Sequence, residues 1–137
     1  MKKYIGTKVI MAEPMTMTEA QKVLGREIKP ATVEEDGYLV EYKDGYKSWS
    51  PKSVFDEAYK PFEDFEDRLC IEYDELYDRL TKLKVALNKD GFREKVGDFQ
   101  YKLMKEQVLG MEKYYNALKS RMQDMGIFGD TTCCPSC

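Results

Sequence analysis

The sequence predicts an α+β protein in which a small N-terminal antiparallel β-sheet with short helices precedes a long antiparallel helical hairpin. One observation is an Asp-Gly step between two aromatic-rich runs, and another is an apolar repeat with steps of three or four residues in the second half. A length of 137 residues suits a single domain. We therefore expect one compact unit made of a β module over 1–60, a helical hairpin over 61–126 and a flexible cysteine-containing tail over 127–137.

The β module is predicted to begin with a strand and a short helix. Residues 3–11 are rich in β-branched and aromatic side chains, which is typical of a strand. Thr16 and Glu19 have the spacing of a capping box, and Gly25 is placed to end a helix. A two-turn helix is therefore expected at about 17–24.

A β-hairpin is predicted around the Asp44–Gly45 step, with strands over 37–42 and 46–49. Asp-Gly favours a type I′ turn, because that turn needs a positive φ at both central residues. Ser50–Pro51 then provides a capping hydroxyl and a proline at the first helical position, which indicates that a short helix follows at once. The aromatic side chains of this hairpin could stack a nucleobase, although in a small sheet such side chains more often form its own core.

From Pro61 onwards the apolar side chains follow a helical period. The first stripe extends over roughly 26 residues, or about 40 Å of helix. The Asn88–Gly91 segment interrupts the pattern, and a looser stripe marks a second helix of similar length, so the two should fold back on each other. The first stripe consists of Phe62, Phe65, Leu69, Tyr73, Leu76, Leu80, Leu83 and Leu87, and the second of Val96, Phe99, Leu103, Met111, Leu118, Met122 and Met125.

The composition excludes most enzyme classes. The chain has no histidine, which removes the usual general base near neutral pH and the commonest transition-metal ligand. It also lacks the glycine-rich loops that hold phosphates and the GxSxG turn that presents a nucleophilic serine. The carboxylates of the first long helix alternate with lysines and arginines at helical spacing, which favours an ion-paired solvent face over a metal site. We expect no enzymatic activity, no cofactor and no bound metal.

Charge and hydropathy also limit the partners. The net charge of −3 and the pI of about 5.2 provide no basic surface for DNA or RNA polymers. No apolar run has the length of a signal peptide or of a membrane span. We therefore expect a protein that stays in the cytoplasm in which it is made and binds neither nucleic-acid polymers nor membranes.

The four cysteines do not resemble a secreted disulfide framework. Cys133, Cys134 and Cys137 lie within the last five residues and Cys70 is isolated, so reduced thiols are expected. The CxxC spacing of Cys134 and Cys137 is shared with zinc and redox motifs, but the chain has no second CxxC to complete a four-ligand zinc site. A tail without function and a metal site between molecules are the two remaining interpretations.

The second helix carries aromatic side chains away from its main stripe, namely Tyr101, Tyr114 and Tyr115. Apolar side chains on more than one face of a helix usually need more than one partner. The sequence therefore predicts a homo-oligomer, from a dimer up to a hexamer.

Both halves of the chain resemble modules of phage proteins. Residues 3–15, 36–42 and 46–52 (KYIGTKVIMAEPM, DGYLVEY and YKSWSPK) are similar to an N-terminal module common in small phage and prophage proteins. The second half looks like a helical hairpin found in phage accessory proteins, through Arg68-Leu69, Glu72, Glu75-Leu76, Arg79-Leu80, Lys82-Leu83, Gln107, Met111, Tyr114, Leu118 and Arg121. The combination resembles the first family of phage Thoeris anti-defence proteins, over nearly the whole chain up to Gly126.

The resemblance implies a phage protein for immune evasion. Members of the family it resembles are non-enzymatic sponges. They bind the cyclic ADP-ribose isomer made by bacterial TIR-domain proteins, and some also bind cyclic oligonucleotides from CBASS synthases. It therefore implies a small cyclic nucleotide as ligand and the cytoplasm of the infected bacterium as location. The rival hypothesis is a phage accessory protein that binds a host protein through its helical hairpin.

A sponge for such ligands must neutralise phosphate and hold a base. Guanidinium groups suit phosphate, and aromatic faces suit adenine. The turn between the two long helices and the start of the second helix bring together an amide, a ring and a guanidinium, and further cations lie on the long helices. The predicted ligand-binding residues are Arg79, Asn88, Phe92, Arg93, Lys105 and Arg121.

Overall fold

The computed structural model describes residues 1–28 and 34–127, and the chain divides into two compact units, Met1–Lys60 and Pro61–Cys137. The α+β prediction is confirmed: a three-stranded antiparallel sheet with short helices precedes two long helices that pack as a hairpin. The first unit contains β1 (Met11–Pro14), α1 (Met17–Leu24), β2 (Gly37–Glu41), β3 (Lys47–Pro51) and α2 (Lys52–Ala58).

The sheet has the strand order β1-β2-β3, so β2 is central. Leu39 lies opposite Glu13 on β1 and Trp49 on β3. Leu39 and Val40 are buried, and the indole Nε1 of Trp49 donates a hydrogen bond of 2.8 Å to the carbonyl of Met15. The tryptophan therefore ties the middle of β3 to the segment that follows β1, which is the structural role expected for hairpin aromatics.

The predicted strand over 3–11 is largely wrong. Residues 1–10 have no regular secondary structure, and β1 begins only at Met11, which pairs with Glu41. The physical reason is the length of the partner strand, because β2 ends at Glu41 and the chain then enters a turn. Residues before Met11 have β-strand composition but no partner strand to pair with.

The hairpin lies where the sequence predicts it, but its turn is not of type I′. The amide of Gly45 donates to the carbonyl of Tyr42 at 2.8 Å, and the amide of Tyr42 donates to the carbonyl of Tyr46 at 2.9 Å. Gly45 has a φ of +83°, whereas none of the described non-glycine residues, Asp44 included, has a positive φ. The turn therefore centres on Lys43 and Asp44, with the glycine following in the left-handed conformation, as in a three-residue hairpin loop.

The short helices confirm one prediction and correct another. α1 spans Met17–Leu24 with a complete capping box between Thr16 and Glu19. α2 begins at Lys52 after Pro51, and no side chain caps it; the Ser50 hydroxyl instead lies 3.4 Å from the carbonyl of Pro51. The predicted serine cap is therefore wrong, because β3 continues through Pro51 and Ser50 still belongs to that strand.

The second unit contains α3 (Phe65–Leu87), α4 (Phe92–Val96) and α5 (Asp98–Asp124). Asp64 caps α3 by accepting a hydrogen bond from the amide of Asp67 at 2.9 Å. The second predicted helix is divided, because Gly97 adopts a φ of +86° that ends α4 before α5 starts. A side-chain-bearing residue would be strained at that φ, so the glycine makes the break possible.

The core of the second unit lies between α3 and α5. Leu69, Leu76, Leu118 and Met122 are buried, and the rings of Tyr73 and Tyr115 stack at 5.0 Å. The two hydroxyl groups of this pair are 2.7 Å apart, so they are hydrogen-bonded. Tyr115, which we expected to lie away from the core, is therefore part of it.

The apolar stripe predicted for the second helix is correct only towards its end. Leu118 and Met122 are buried as predicted, but Phe99 is 72% exposed and Leu103 is also exposed. Met111, also on the predicted stripe, packs against the core, and so does Tyr115, which the prediction left off it. The first half of the predicted stripe thus lies on a different, solvent-facing side of α5.

The expectation of reduced thiols is wrong for Cys70, which is disulfide-bonded. Its side chain is only 5% exposed and lies in the core cluster. Its bonding partner lies outside the described residues, within which Cys70 is the sole cysteine. α5 returns antiparallel to α3, so that Ile127 packs against the same cluster as Cys70.

The predicted flexible tail starts at residue 127, yet Ile127 is half-buried and its amide donates to the carbonyl of Met122 at 2.9 Å. The rest of that tail, with its CxxC spacing, lies outside the described residues. Within the part of the chain that the structure describes, no helix is long and apolar enough to cross a membrane.

Candidate functional site

A pocket of about 940 Å³ lies in the second unit, beside the turn of the helical hairpin. It is formed by the C-terminal end of α3, the segment around α4 and the first half of α5. Leu87, Val108 and Leu109 supply its apolar lining. The volume is within the range of about 300–1,000 Å³ that is common for small-molecule sites.

Tyr101 is the aromatic side chain of this pocket. Its hydroxyl donates a hydrogen bond of 3.3 Å to the carbonyl of Leu87, and this bond links α5 to the end of α3. The guanidinium carbon of Arg93 lies 5.6 Å from the centre of the Tyr101 ring, and the Lys105 ammonium lies 5.9 Å from it. A ring held at its hydroxyl end is thus placed next to two cations.

Arg93 is held by a carboxylate. Its Nε donates to Asp98 at 2.7 Å, across the break between α4 and α5. This hydrogen bond and the charge of Asp98 raise the pKa of the Arg93 guanidinium above its ordinary value. Asp98 therefore favours the charged form of Arg93, which is a cation near neutral pH.

The lining of the pocket has more positive than negative charge. Four cations, Lys84, Arg93, Lys102 and Lys105, face two carboxylates, Asp98 and Glu106. Lys84 is paired with Glu112 at 2.5 Å and Arg93 with Asp98. Among the described residues, no carboxylate lies within ion-pair distance of Lys102 or Lys105. The pocket can therefore attract an anion.

Three of the six predicted ligand-binding residues line this pocket: Asn88, Arg93 and Lys105. Asn88 follows α3, and its side-chain amide donates to the carbonyl of Lys84 at 3.0 Å. The backbone amide of Asn88 donates to the same carbonyl at 3.2 Å, so Asn88 closes the end of α3 and has a structural role besides its place in the pocket.

The other three lie outside the pocket lining. Phe92 is half-buried at the start of α4, and its amide donates to the carbonyl of Lys89. Arg79 is five positions before Lys84 on α3, which places it about 140° away around the helix. The Arg121 guanidinium lies 5.7 Å from the ring centre of Phe65, near the opposite end of the hairpin.

Sequence reasoning missed Tyr101 and Lys102 as members of the site. Tyr101 was noted only as an aromatic side chain away from the predicted stripe. The available signal was the spacing of Asp98, Tyr101 and Lys105 at steps of three and four, which puts them on one side of a helix, with Lys102 three positions before Lys105 on its edge. This row marks one side of the helix with a ring and cations, but it does not tell whether that side lines a pocket or an interface.

A second notable surface is the exposed apolar side of α5. Phe99, Leu103 and Tyr114 are all exposed there, on a side of the helix different from the pocket. Gly110 lies in the same row and leaves open space beside its backbone. This surface, which we call the α5 outer face, is defined by these four residues.

Within the described residues, no group of three or more carboxylates and cysteines is placed to hold a metal ion. Asp78 on α3 forms an ordinary surface ion pair with Lys82 at 2.7 Å.

One protein-family model matches part of the chain. Residues 63–124 match the model of the Sequestin family, and this range covers the helical hairpin with its pocket. Sequestin is the family of Thoeris anti-defence proteins that sequester cyclic ADP-ribose, so the resemblance found in the sequence is confirmed. The match supports an anti-defence sponge role in broad terms. No curated protein and no solved structure matches the chain.

Proposed function

Because the helical hairpin matches the Sequestin family, we propose that this protein is a phage anti-defence sponge for cyclic nucleotide signals. Its ligands are the cyclic ADP-ribose isomers made by TIR-domain proteins, and cyclic oligonucleotides of CBASS are a second ligand class. It holds the signal without degrading it, in the cytoplasm of the infected bacterium. The defence effector then receives too little signal to become active.

One observation supports this proposal most directly: the Tyr101 ring lies within 6 Å of two cations in a pocket with apolar walls. A cyclic ADP-ribose isomer has an adenine base and two phosphates. The base can stack on the ring and contact Leu87 and Leu109, while the phosphates face the cations. Stacking of a base on an aromatic side chain contributes about 1–3 kcal/mol.

Of the residues predicted from the sequence, we assign ligand contacts to Asn88, Arg93 and Lys105. Nanomolar affinity requires about 12 kcal/mol of binding free energy. The stacking contribution and a few charge-assisted contacts of about 1.5–3 kcal/mol each supply part of it. A second subunit that covers the open side of the pocket would exclude more water and strengthen those contacts.

The α5 outer face favours assembly of two or more subunits. Phe99, Leu103 and Tyr114 expose apolar surface along one side of a long helix, and Gly110 allows another chain to approach closely. We expect light scattering at micromolar protein to give a mass of at least two chains. A Phe99→Glu variant, which places a charge at this surface, should reduce that mass. A monomeric mass for the unaltered chain would contradict the oligomer.

The α5 outer face also suits the rival function, in which the hairpin binds a host protein. The two functions differ in which molecule stays bound to the protein when it is purified from an infected cell. A sponge retains a small nucleotide, whereas a protein that binds a host protein does not need one.

The sponge proposal predicts that the ligand returns chemically unchanged. Protein incubated with a cyclic ADP-ribose isomer, washed and heat-denatured should release that isomer intact, because a sponge holds its ligand without cleaving it. Liquid chromatography with mass spectrometry measures the product. Release of linear ADP-ribose would identify an enzyme, and absence of any nucleotide would favour the rival function.

A further inference from the structure

We infer that Lys102 and Lys105 hold the phosphates of the ligand, with no arginine as the principal phosphate ligand. This inference rests on the proposed function and names the groups that perform it. It departs from the expectation for phosphate sites, in which arginine forks usually predominate.

The first step in the argument is how the other cations of the pocket are used. Arg93 donates its Nε hydrogen to Asp98, and Lys84 pairs with Glu112 on α5. A phosphate that bound Arg93 or Lys84 would have to compete with the carboxylate that each of them already contacts. Their net attraction for an added anion is therefore reduced.

The remaining arginines of the described chain are also occupied or lie elsewhere. Arg68 and Arg121 lie over phenylalanine rings towards the other end of the hairpin, and Arg26 belongs to the first unit, where it donates to the carbonyl of Lys47. Arg79 lies on a side of α3 away from Lys84, so it does not reach the pocket lining.

Lys102 and Lys105, in contrast, line the pocket and have no carboxylate partner among the described residues. They are three positions apart on α5, so their Cβ atoms lie about 5–6 Å apart on one side of the helix. Their long side chains can bring both ammonium groups onto two phosphates joined by one bridging oxygen. Phosphates separated by a whole nucleoside, as in cyclic oligonucleotides, fit this spacing less well.

The position of Lys105 links the phosphate subsite to the ring. Its ammonium lies 5.9 Å from the centre of the Tyr101 ring. A diphosphate would draw this ammonium away from the ring and leave the face that it covers available for the base. The structure thus places a diphosphate subsite directly beside a stacking subsite, which matches a ligand with a diphosphate next to a nucleoside.

The test uses titration calorimetry of the full chain with cyclic ADP-ribose isomers, and competition by inorganic pyrophosphate or orthophosphate. Lys102→Gln and Lys105→Gln should each weaken binding about fivefold, and the double variant about thirtyfold, since each ammonium is exposed and partly screened. Pyrophosphate should displace the nucleotide from the unaltered protein at least tenfold better than orthophosphate. The double variant should lose that preference.

Lys119→Gln is the matched control, because it removes a lysine from the same helix about 21 Å beyond Lys105. It should bind as the unaltered protein does. If the unaltered protein binds no cyclic nucleotide, the proposed function itself fails. If it binds, but the double variant stays within threefold, another group holds the phosphates and this inference is overturned. Equal competition by pyrophosphate and orthophosphate would overturn it without any variant.

Discussion

Replacing Leu118 by alanine is expected to lower the free energy of unfolding of the helical hairpin by about 2–5 kcal/mol. Leu118 is 2% exposed and lies between α3 and α5 with Leu69, Leu76 and Met122. Alanine removes three carbon atoms from a packed site and leaves a cavity that the rigid helices fill only in part. Urea unfolding followed by far-ultraviolet circular dichroism measures the loss.

The chain offers a built-in comparison for this variant. Trp49 is the single tryptophan and lies in the first unit, so its fluorescence reports the β module, whereas circular dichroism is dominated by the long helices. Val85→Ala on α3 is the control, because Val85 is 66% exposed and alanine favours helix, so stability should change by less than about 0.5 kcal/mol. Equal losses for Leu118→Ala and Val85→Ala would contradict the core assignment.

The sequence predicts where helices and strands lie better than it predicts which side of each is buried. α1 is found at its predicted bounds because a capping box and a terminal glycine are local signals. α5 carries two apolar rows with the same helical period, one through Met111 and Tyr115 and one through Phe99 and Leu103. Periodicity cannot decide which row packs against α3, because that depends on the crossing of two helices and on the break at Gly97.

The same limit explains the candidate site. Asn88 and Arg93 could be predicted because they flank the turn, which the sequence marks clearly, whereas Lys105 was chosen, like Arg79 and Arg121, as a further cation on the long helices. Tyr101 could not be assigned before the orientation of α5 was known, since a tyrosine away from the main stripe has the same pattern in a pocket and at an interface. Arg79 and Arg121 were chosen for their charge, and charge alone does not place a side chain on the correct side of a helix.

The largest effect on binding is expected at Tyr101. Replacing it by alanine should weaken the binding of a cyclic ADP-ribose isomer about a hundredfold, because stacking of a base contributes about 1–3 kcal/mol and the ring also packs beside Arg93 and Lys105. Titration calorimetry with the full chain measures the change. The thermal unfolding midpoint of the variant, measured in parallel, shows whether the hairpin is intact.

Two further variants separate the contribution of the Tyr101 ring to affinity from that of its hydroxyl group and from the general effect of removing a tyrosine. Tyr101→Phe keeps the ring and loses only the hydrogen bond of 3.3 Å to Leu87, so affinity should fall less than fivefold. Tyr77→Ala removes a tyrosine that is 53% exposed on α3 and outside the pocket lining, and it should bind as the unaltered chain does. If Tyr101→Ala binds within threefold of the unaltered protein, the base does not stack on this ring and the ligand lies elsewhere on the hairpin. If the affinity of Tyr101→Phe falls as far as that of Tyr101→Ala, binding requires the hydroxyl contact that joins α5 to the end of α3. That contact would then act by fixing the shape of the pocket.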